Sequence, residues 1–224
     1  MIFDMDGVLI DSSKFIMDSY NKMLSWHNIY LDKEAIRPYL VQTLKETLSE
    51  WKRKYGLDFQ FEKFAREYGV IEQKLIRKQA TLDKGLVGLL EGLRQKNVPM
   101  GVGTASIRRR AIKILNHLGI SDYFQSIITA DDVIEQKPNP HVYIAAGEGL
   151  NIPGGRLIVI DDAGKGITAG HRAGAKCVGK LHEYNDREEL KEADLIITNF
   201  SELNYEILKN LVSPNIAVGL KGYL

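Results

Sequence analysis

Apolar residues recur in two textures along the chain, and the change between them falls near Leu82. Residues 14–81 place them at helical spacing among Lys, Glu and aromatics. Breaks are expected at Asn28 to Asp32, at Pro38 and at Tyr55 to Asp58, and no stretch shows the alternation that suits a strand. From Leu82 onward, short apolar runs alternate with helical patterns. The runs are Val98 to Val102, Ser126 to Thr129, Leu157 to Ile160, Lys176 to Val178 and Leu195 to Ile197. Between them, Leu86, Leu89, Leu90 and Leu93 mark one helix face, and Ile107, Ala111, Ile114, Leu115 and Leu118 mark another. Strands alternating with helices run parallel and join by right-handed crossovers, so the pattern predicts an α/β fold with a doubly wound, Rossmann-type parallel sheet.

One further run, Met1 to Phe3, precedes the helical block. It is short against a usual strand of about five or six residues, which points to a start upstream of Met1 or a trimmed chain. The simplest arrangement inserts an all-helical subdomain, residues 14–81, between the first and second strands of a core made of residues 1–13 and 82–224. The links then lie near Ser13 and Leu82. The tail from Ser213, SPNIAVGLKGYL, has no clear period and is unassigned.

A doubly wound sheet binds its ligand beyond the carboxyl ends of its strands, so the residues after each run carry the functional signal. Asp4 ends the first run, and Asp6 and Gly7 follow at once. Two carboxylates so near a buried strand are costly without a use, and a glycine there permits a sharp turn. Asp11 and Ser12 instead suit the N-cap of the next helix. After Val102 come Thr104, Ala105 and Ser106, then a helix; free amides and a hydroxyl at such a place suit phosphate. Ser106 reads as the helix cap and Thr104 as the ligand contact. Lys137 lies on a loop stiffened by Pro138 and Pro140. Asp161 and Asp162 follow Ile160, and adjacent acids repel unless a cation sits between them and Asp4. Oxygen-only ligation of that kind suits Mg²⁺.

In order, the four strand ends carry Asp4-x-Asp6-Gly7, Thr104, Lys137 within Lys-Pro-x-Pro-x-x-Tyr, and Asp161-Asp162. Over residues 1 to about 180 this resembles the haloacid dehalogenase (HAD) superfamily, whose core carries a helical cap. The resemblance implies that Asp4 is a nucleophile forming an aspartyl-phosphate and Asp6 an acid/base. It implies that Thr104 and the amide of Ala105 contact phosphate, and that Lys137 neutralises the nucleophile and the phosphoryl group. It assigns Mg²⁺ to the carboxylates of Asp4 and Asp162, with Asp161 assisting and Asp6 contributing its backbone carbonyl. Ala163 stands where the superfamily often has Ser or Thr, which removes a hydroxyl beside the metal site.

The activity implied is hydrolysis of a small phosphate ester, as in phosphoglycolate phosphatases. Dehalogenases and phosphonate-cleaving relatives lack an acid two residues after the nucleophile, where this chain has Asp6. The alternative within the superfamily is a sugar-phosphate mutase of the beta-phosphoglucomutase type. Those mutases have a histidine twelve residues past the nucleophile, and Ile16 here favours hydrolysis. An alternative of another class, a non-catalytic phospholigand-binding or regulatory module, is disfavoured by the complete set of core residues. Arg37 is the basic residue of the helical block singled out for substrate specificity, because phosphoglycolate phosphatases place an arginine in a cap loop. Here Pro38 follows it, and the glycine usual a few residues on is missing. Trp26, His27, Trp51 and the Phe59 to Phe64 cluster read as the core of the helical block.

Composition narrows the rest. Thirty basic against 29 acidic residues leave a net charge of +1, which suggests neither nucleic acid nor a membrane surface as partner. No run approaches about 18 consecutive apolar residues, and the N-terminus lacks a signal-peptide layout, so a cytoplasmic monomer or homodimer is expected. The single cysteine, Cys177, excludes an intramolecular disulfide and a thiol metal cluster, and within AKCVG it reads as a packed thiol. The charge is uneven: 13 basic and 9 acidic residues give residues 14–81 a charge of +4, leaving −3 elsewhere. That asymmetry predicts steering of an anionic substrate. Arg108 to Arg110 reads as a solvated helix start.

Overall fold

A computed structural model describes residues 1–40 and 42–213. The tail beyond Ser213 lies outside them. Six parallel strands form one sheet: β1 (Ile2–Phe3), β2 (Gly101–Gly103), β3 (Ser126–Ile128), β4 (Ile158–Asp161), β5 (Lys176–Lys180) and β6 (Leu195–Ile197), in the order β3-β2-β1-β4-β5-β6. The chain winds outward from β1 to one side, returns, and winds outward from β4 to the other. The crevice where that order reverses opens at the carboxyl ends of β1 and β4.

Strand β1 is only two residues long, yet it is fully buried and central. Ile2 pairs with Gly101 and Val159, and Phe3 with Val102 and Ile160. The Asp4 N–H extends the ladder by donating to the Ile160 carbonyl at 2.8 Å. Side chains alternate across the sheet, so Phe3 and Ile160 enter one apolar cluster while Ile2 and Val159 enter the other. The first cluster is closed by α5 (Leu86–Gln95), α6 (Arg108–His117) and α9 (Tyr205–Val212). The second is closed by α7 (His141–Gly149) and α8 (Gly164–Arg172).

Between β1 and β2 run four helices, α1 (Ser13–Leu24), α2 (Lys33–Leu40), α3 (Leu44–Tyr55) and α4 (Phe61–Gln79). They bury a third apolar cluster of their own around Trp51, which is fully buried and makes edge contacts with the rings of Tyr20, Tyr39, Phe59 and Phe64. The sequence reading is corrected at three places here. Trp26, His27 and Phe61 lie outside that core: all three are exposed, Trp26 by 54% and Phe61 by 43%. Pro38 does not break the chain but sits inside α2, whose short length leaves little ladder for its missing N–H to interrupt. Ser12 stands at the N-cap of α1 without a side-chain cap hydrogen bond. Side-chain caps are found instead at α2, where Asp32 Oδ1 accepts from the Ala35 N–H at 2.9 Å, and at α3, which starts on the Thr43–Glu46 capping box and ends at Gly56, at φ +67°. The chain segments leading in and out of the insertion meet in an antiparallel bridge between Ile10 and Leu82. The second segment is anchored by Asp83 to the buried Lys180 at 2.9 Å.

Candidate active site

At the end of β1 the chain turns sharply. The Gly7 N–H donates to the Ile10 carbonyl at 2.8 Å, and Gly7 takes φ +76°, a conformation that favours glycine. This turn leaves Asp4 buried beneath the crevice and Asp6 at its wall. Asp161 closes β4, and Asp162 follows before α8 begins at Gly164. Carboxylate oxygens of Asp4, Asp161 and Asp162 lie within 4.8 Å of one another. The Lys137 ammonium reaches across from the loop after β3, donating to Asp4 Oδ1 at 2.5 Å and Asp161 Oδ2 at 2.9 Å.

Three carboxylates share one ammonium, so with all three ionised this cluster carries negative charge that Lys137 alone does not balance. The imbalance is visible in the proton affinities. Burial pushes Asp4 well above the ordinary carboxylate range, and Asp161 and Asp162 add to the shift against the pull of Lys137. Asp162 is likewise raised by burial and by Asp161, against a hydrogen bond with His182. Lys137 is held charged: burial disfavours the ammonium, but Asp161 and Asp4 outweigh it. Clustered, oxygen-only donors with uncompensated negative charge are the chemistry of a site for a hard divalent cation.

Around this cluster stand supporting groups. The Asp162 carboxylate accepts at Oδ2 from His182 Nε2 (2.9 Å), and its backbone carbonyl accepts from Asn185 Nδ2 (2.7 Å). The Tyr143 hydroxyl hydrogen-bonds to Asp161, and its ring lies 4.7 Å from Lys137 Nζ. The Ala163 N–H donates to Asp161 Oδ1 at 2.9 Å. Gly7 and Gly166 make room for the acids: a Cβ on either would fall within about 2 Å of a carboxylate oxygen, on Asp162 and Asp161 respectively.

Asp6 faces a different environment. Its Oδ2 accepts from Ser106 Oγ (2.7 Å) and from Arg110 Nη1 (2.7 Å). Burial alone would raise its proton affinity, but Arg110 and these hydrogen bonds hold it below the ordinary range. Ser106 is therefore not the helix cap that its position suggested. Ile107 occupies the N-cap of α6, and the Ser106 hydroxyl is turned toward Asp6. Thr104 is buried, with its N–H on the Ile128 carbonyl and its Oγ1 accepting from the Ser106 N–H (3.1 Å). Ala105 is exposed at the mouth of that turn.

Arg110, read as part of a solvated helix start, is instead mostly buried between Asp6 and Glu72. Arg37 is not brought to the aspartates. Its guanidinium bonds to Asp186 (2.8 Å) and Glu189 (2.6 Å), beyond β5. Tyr143 carried a signal in the Lys-Pro-x-Pro-x-x-Tyr pattern. His182 and Asn185 also carried one, since they follow the run that became β5. Ile16 is half-buried and packs against the helical cluster.

Residues 1–180 match the haloacid dehalogenase-like hydrolase family. Validoxylamine A 7'-phosphate phosphatase of Streptomyces hygroscopicus subsp. limoneus is 32% identical, over 91% of this chain and 95% of that protein. Phosphoglycolate phosphatase of Photorhabdus laumondii subsp. laumondii is 30% identical, over 90% and 88%. Among solved structures, that of beta-phosphoglucomutase from Clostridium difficile superposes with a TM-score of 0.81 at 28% identity, covering 94% of this chain and 95% of that one.

Proposed function

The chain belongs to the haloacid dehalogenase-like hydrolase family, and on that footing we propose that this phosphatase hydrolyses small phosphorylated metabolites in the cytoplasm, with Mg²⁺, through an aspartyl-phosphate on Asp4. The observation that carries the reading is the convergence of buried Asp4 and Asp161 with Lys137 and the half-buried Asp162 in one cluster, with Asp6 beside it. The helices of residues 14–81 act as a cap that admits substrate and then excludes water.

When bound, Mg²⁺ held by Asp4 and Asp162, with Asp161 and the Asp6 backbone carbonyl, supplies positive charge to the phosphoryl oxygens. The chain's own groups do the rest. Lys137 holds Asp4 by Oδ1 and adds counter-charge, while the Thr104 hydroxyl and the Ala105 amide hold the phosphoryl group. An Asp4 oxygen forms a bond to phosphorus as the ester P–O bond breaks, and Asp6 gives its proton to the departing alkoxide. Water then attacks phosphorus, losing its proton to Asp6, and phosphate leaves with Asp4 restored. The two steps ask for opposite protonation states of one carboxyl, and Arg110 favours the ionised state needed in the second.

The likeness to beta-phosphoglucomutase supports a second reading, a mutase that returns the phosphoryl group to a sugar. Ile16 speaks for hydrolysis, since an apolar side chain packed into the helical cluster supplies no base. Incubation with a hexose 1-phosphate separates the two: phosphate release supports the phosphatase, and conversion to the 6-phosphate supports the mutase. For the mechanism, 4-nitrophenyl phosphate should turn over with Mg²⁺ and stop with EDTA. Acid quenching should trap phosphate on the Asp4 peptide. Full turnover in EDTA, or label on any other residue, would overturn the proposal.

A further inference from the structure

Arg110 stands on the first turn of α6 and reaches two acids from different parts of the chain. Its Nη1 donates to Asp6 Oδ2 (2.7 Å) and to Ser106 Oγ (2.5 Å). Its Nε and Nη2 fork onto Glu72 at 3.0 Å (Oε2) and 2.8 Å (Oε1). Glu72 belongs to α4, is buried, and also accepts from the Tyr68 hydroxyl at 3.1 Å. One turn further along α4, Ile76 packs into the apolar cluster of the sheet, so Glu72 sits on the part of the insertion rooted in the core.

The consequence for Asp6 is asymmetric. Its Oδ2 is held by Ser106 and Arg110, whereas its Oδ1 is buried and accepts no hydrogen bond among the described residues, the nearby Ser12 side chain only helping to hold the carboxylate ionised. A planar carboxylate with one oxygen held presents the other in a set direction, and Oδ1 is the oxygen left to exchange a proton. Held only through Nη1 by Asp6 and Ser106, Arg110 would keep more of its rotamer freedom, because its Nε and Nη2 would be left without a fixed partner. The fork onto Glu72 removes that freedom. Glu72 itself bonds to Tyr68 and Arg110 and not to Asp4, Asp161 or Asp162.

We propose that Glu72 and Arg110 are positioning residues: Glu72 of the helical insertion fixes Arg110, which with Ser106 aims Asp6 Oδ1 at the leaving oxygen. This rests on the reading of Asp6 as the acid/base.

The test is the leaving-group dependence of kcat/KM, measured with phenyl phosphate and 4-nitrophenyl phosphate. Phenoxide needs its proton more than 4-nitrophenoxide does, so a misaimed acid penalises the first selectively. Glu72→Gln should lower kcat/KM for phenyl phosphate about 10-fold and for 4-nitrophenyl phosphate less than about 3-fold. A purely structural role would lower both alike through the fraction folded. Leaving one charge of a buried pair unpaired is strongly destabilising, so the double variant Glu72→Met/Arg110→Met, which removes both, is measured beside it. It should show the same selective loss. Equal losses with the two esters, or none, would overturn the proposal. Asp6→Asn run in parallel separates the layers. If it lacks the selective loss, the acid role of Asp6 falls; if it alone shows the loss, only the positioning role falls.

Discussion

Alanine at Gly7 should loosen the metal site as well as the fold. Two costs can be read separately. The first is backbone: at φ +76° an alanine is strained by about 1–2 kcal/mol. The second is steric. The new Cβ would lie 2.0 Å from Asp162 Oδ2 and 2.4 Å from its Cγ, where ordinary contact begins near 3.4 Å. The carboxylate must therefore shift by more than 1 Å, and the oxygen displaced, Oδ2, is the one that His182 holds at 2.9 Å. Metal–oxygen distances tolerate only about 0.2 Å, so a shift of that size removes a ligand or forces the site to re-form around it. A loss of about 10- to 100-fold in Mg²⁺ affinity is the scale expected when a metal ligand is disoriented.

The assay pairs urea unfolding with Mg²⁺ titration by calorimetry and by hydrolysis of 4-nitrophenyl phosphate. Gly56→Ala is the control: Gly56 has φ +67°, but among the described residues nothing beyond its chain neighbours lies within 4 Å of a Cβ there. Both variants should lose about 1–2 kcal/mol of stability, and only Gly7→Ala should lose Mg²⁺ affinity. A Gly7→Ala protein that binds Mg²⁺ as tightly as Gly56→Ala does would refute the assignment of Asp162 as a ligand whose place depends on Gly7.

Asp4→Asn should abolish hydrolysis, because an amide neither attacks phosphorus nor holds the metal well; substantial residual turnover would exclude the covalent route. Raising salt from 0.1 to 1 M should lower kcat/KM for a small phosphate ester by about 3- to 10-fold and kcat by less, as the Debye length falls from about 10 to about 3 Å; a flat kcat/KM after correction for Mg²⁺ occupancy would rule out steering. Asp194 is pulled down to about 2 from 3.8, burial being outweighed by hydrogen bonds from Lys176, the Cys177 N–H and His171. A depressed carboxylate stabilises the fold above its unfolded value and loses that contribution as pH falls toward 2. Because Lys176 and His171 are 49% and 38% exposed, we expect Asp194→Asn to cost only about 1 kcal/mol at pH 7, narrowing to about half by pH 3. Urea unfolding at the two pH values checks this, and an unchanged difference would contradict it.

The sheet and the aspartate cluster were legible because their signals are contiguous. A parallel strand buried on both faces is a short apolar run, and the groups at its carboxyl end are the next residues along, so Asp4, Thr104, Lys137 and Asp161-Asp162 could each be singled out from a few neighbours. What escaped are the contacts that join distant stretches. Arg110 and Glu72 are 38 residues apart, and a buried arginine is written with the same letter as a solvated one. Ser106 before a helix is equally a cap or a donor to Asp6, and only the turn after Thr104 decides which. Trp26 and Trp51 share residue type and helical surroundings, yet one is half exposed and the other fully buried, because helical spacing does not say which face meets a neighbour.

The same limit applies to charge. Counted by composition, residues 14–81 carry +4, but Lys33 lies 3.0 Å from Glu183, and Arg37 bridges Asp186 and Glu189. Two of the insertion's cations are thus spent on acids of the core, 149 to 152 residues away in sequence. These pairs are exposed, and each is worth roughly 0–1 kcal/mol, so they do not lock the insertion in place. They do cancel part of the field that a substrate would feel. The charge available for steering is set by pairing in the fold, which is smaller than the composition implies and which salt alters twice, by screening the substrate and by loosening the bridges. A fall in kcat/KM larger than the fall in kcat therefore identifies the first effect, since screening acts on the encounter with an anionic substrate and not on substrate already bound.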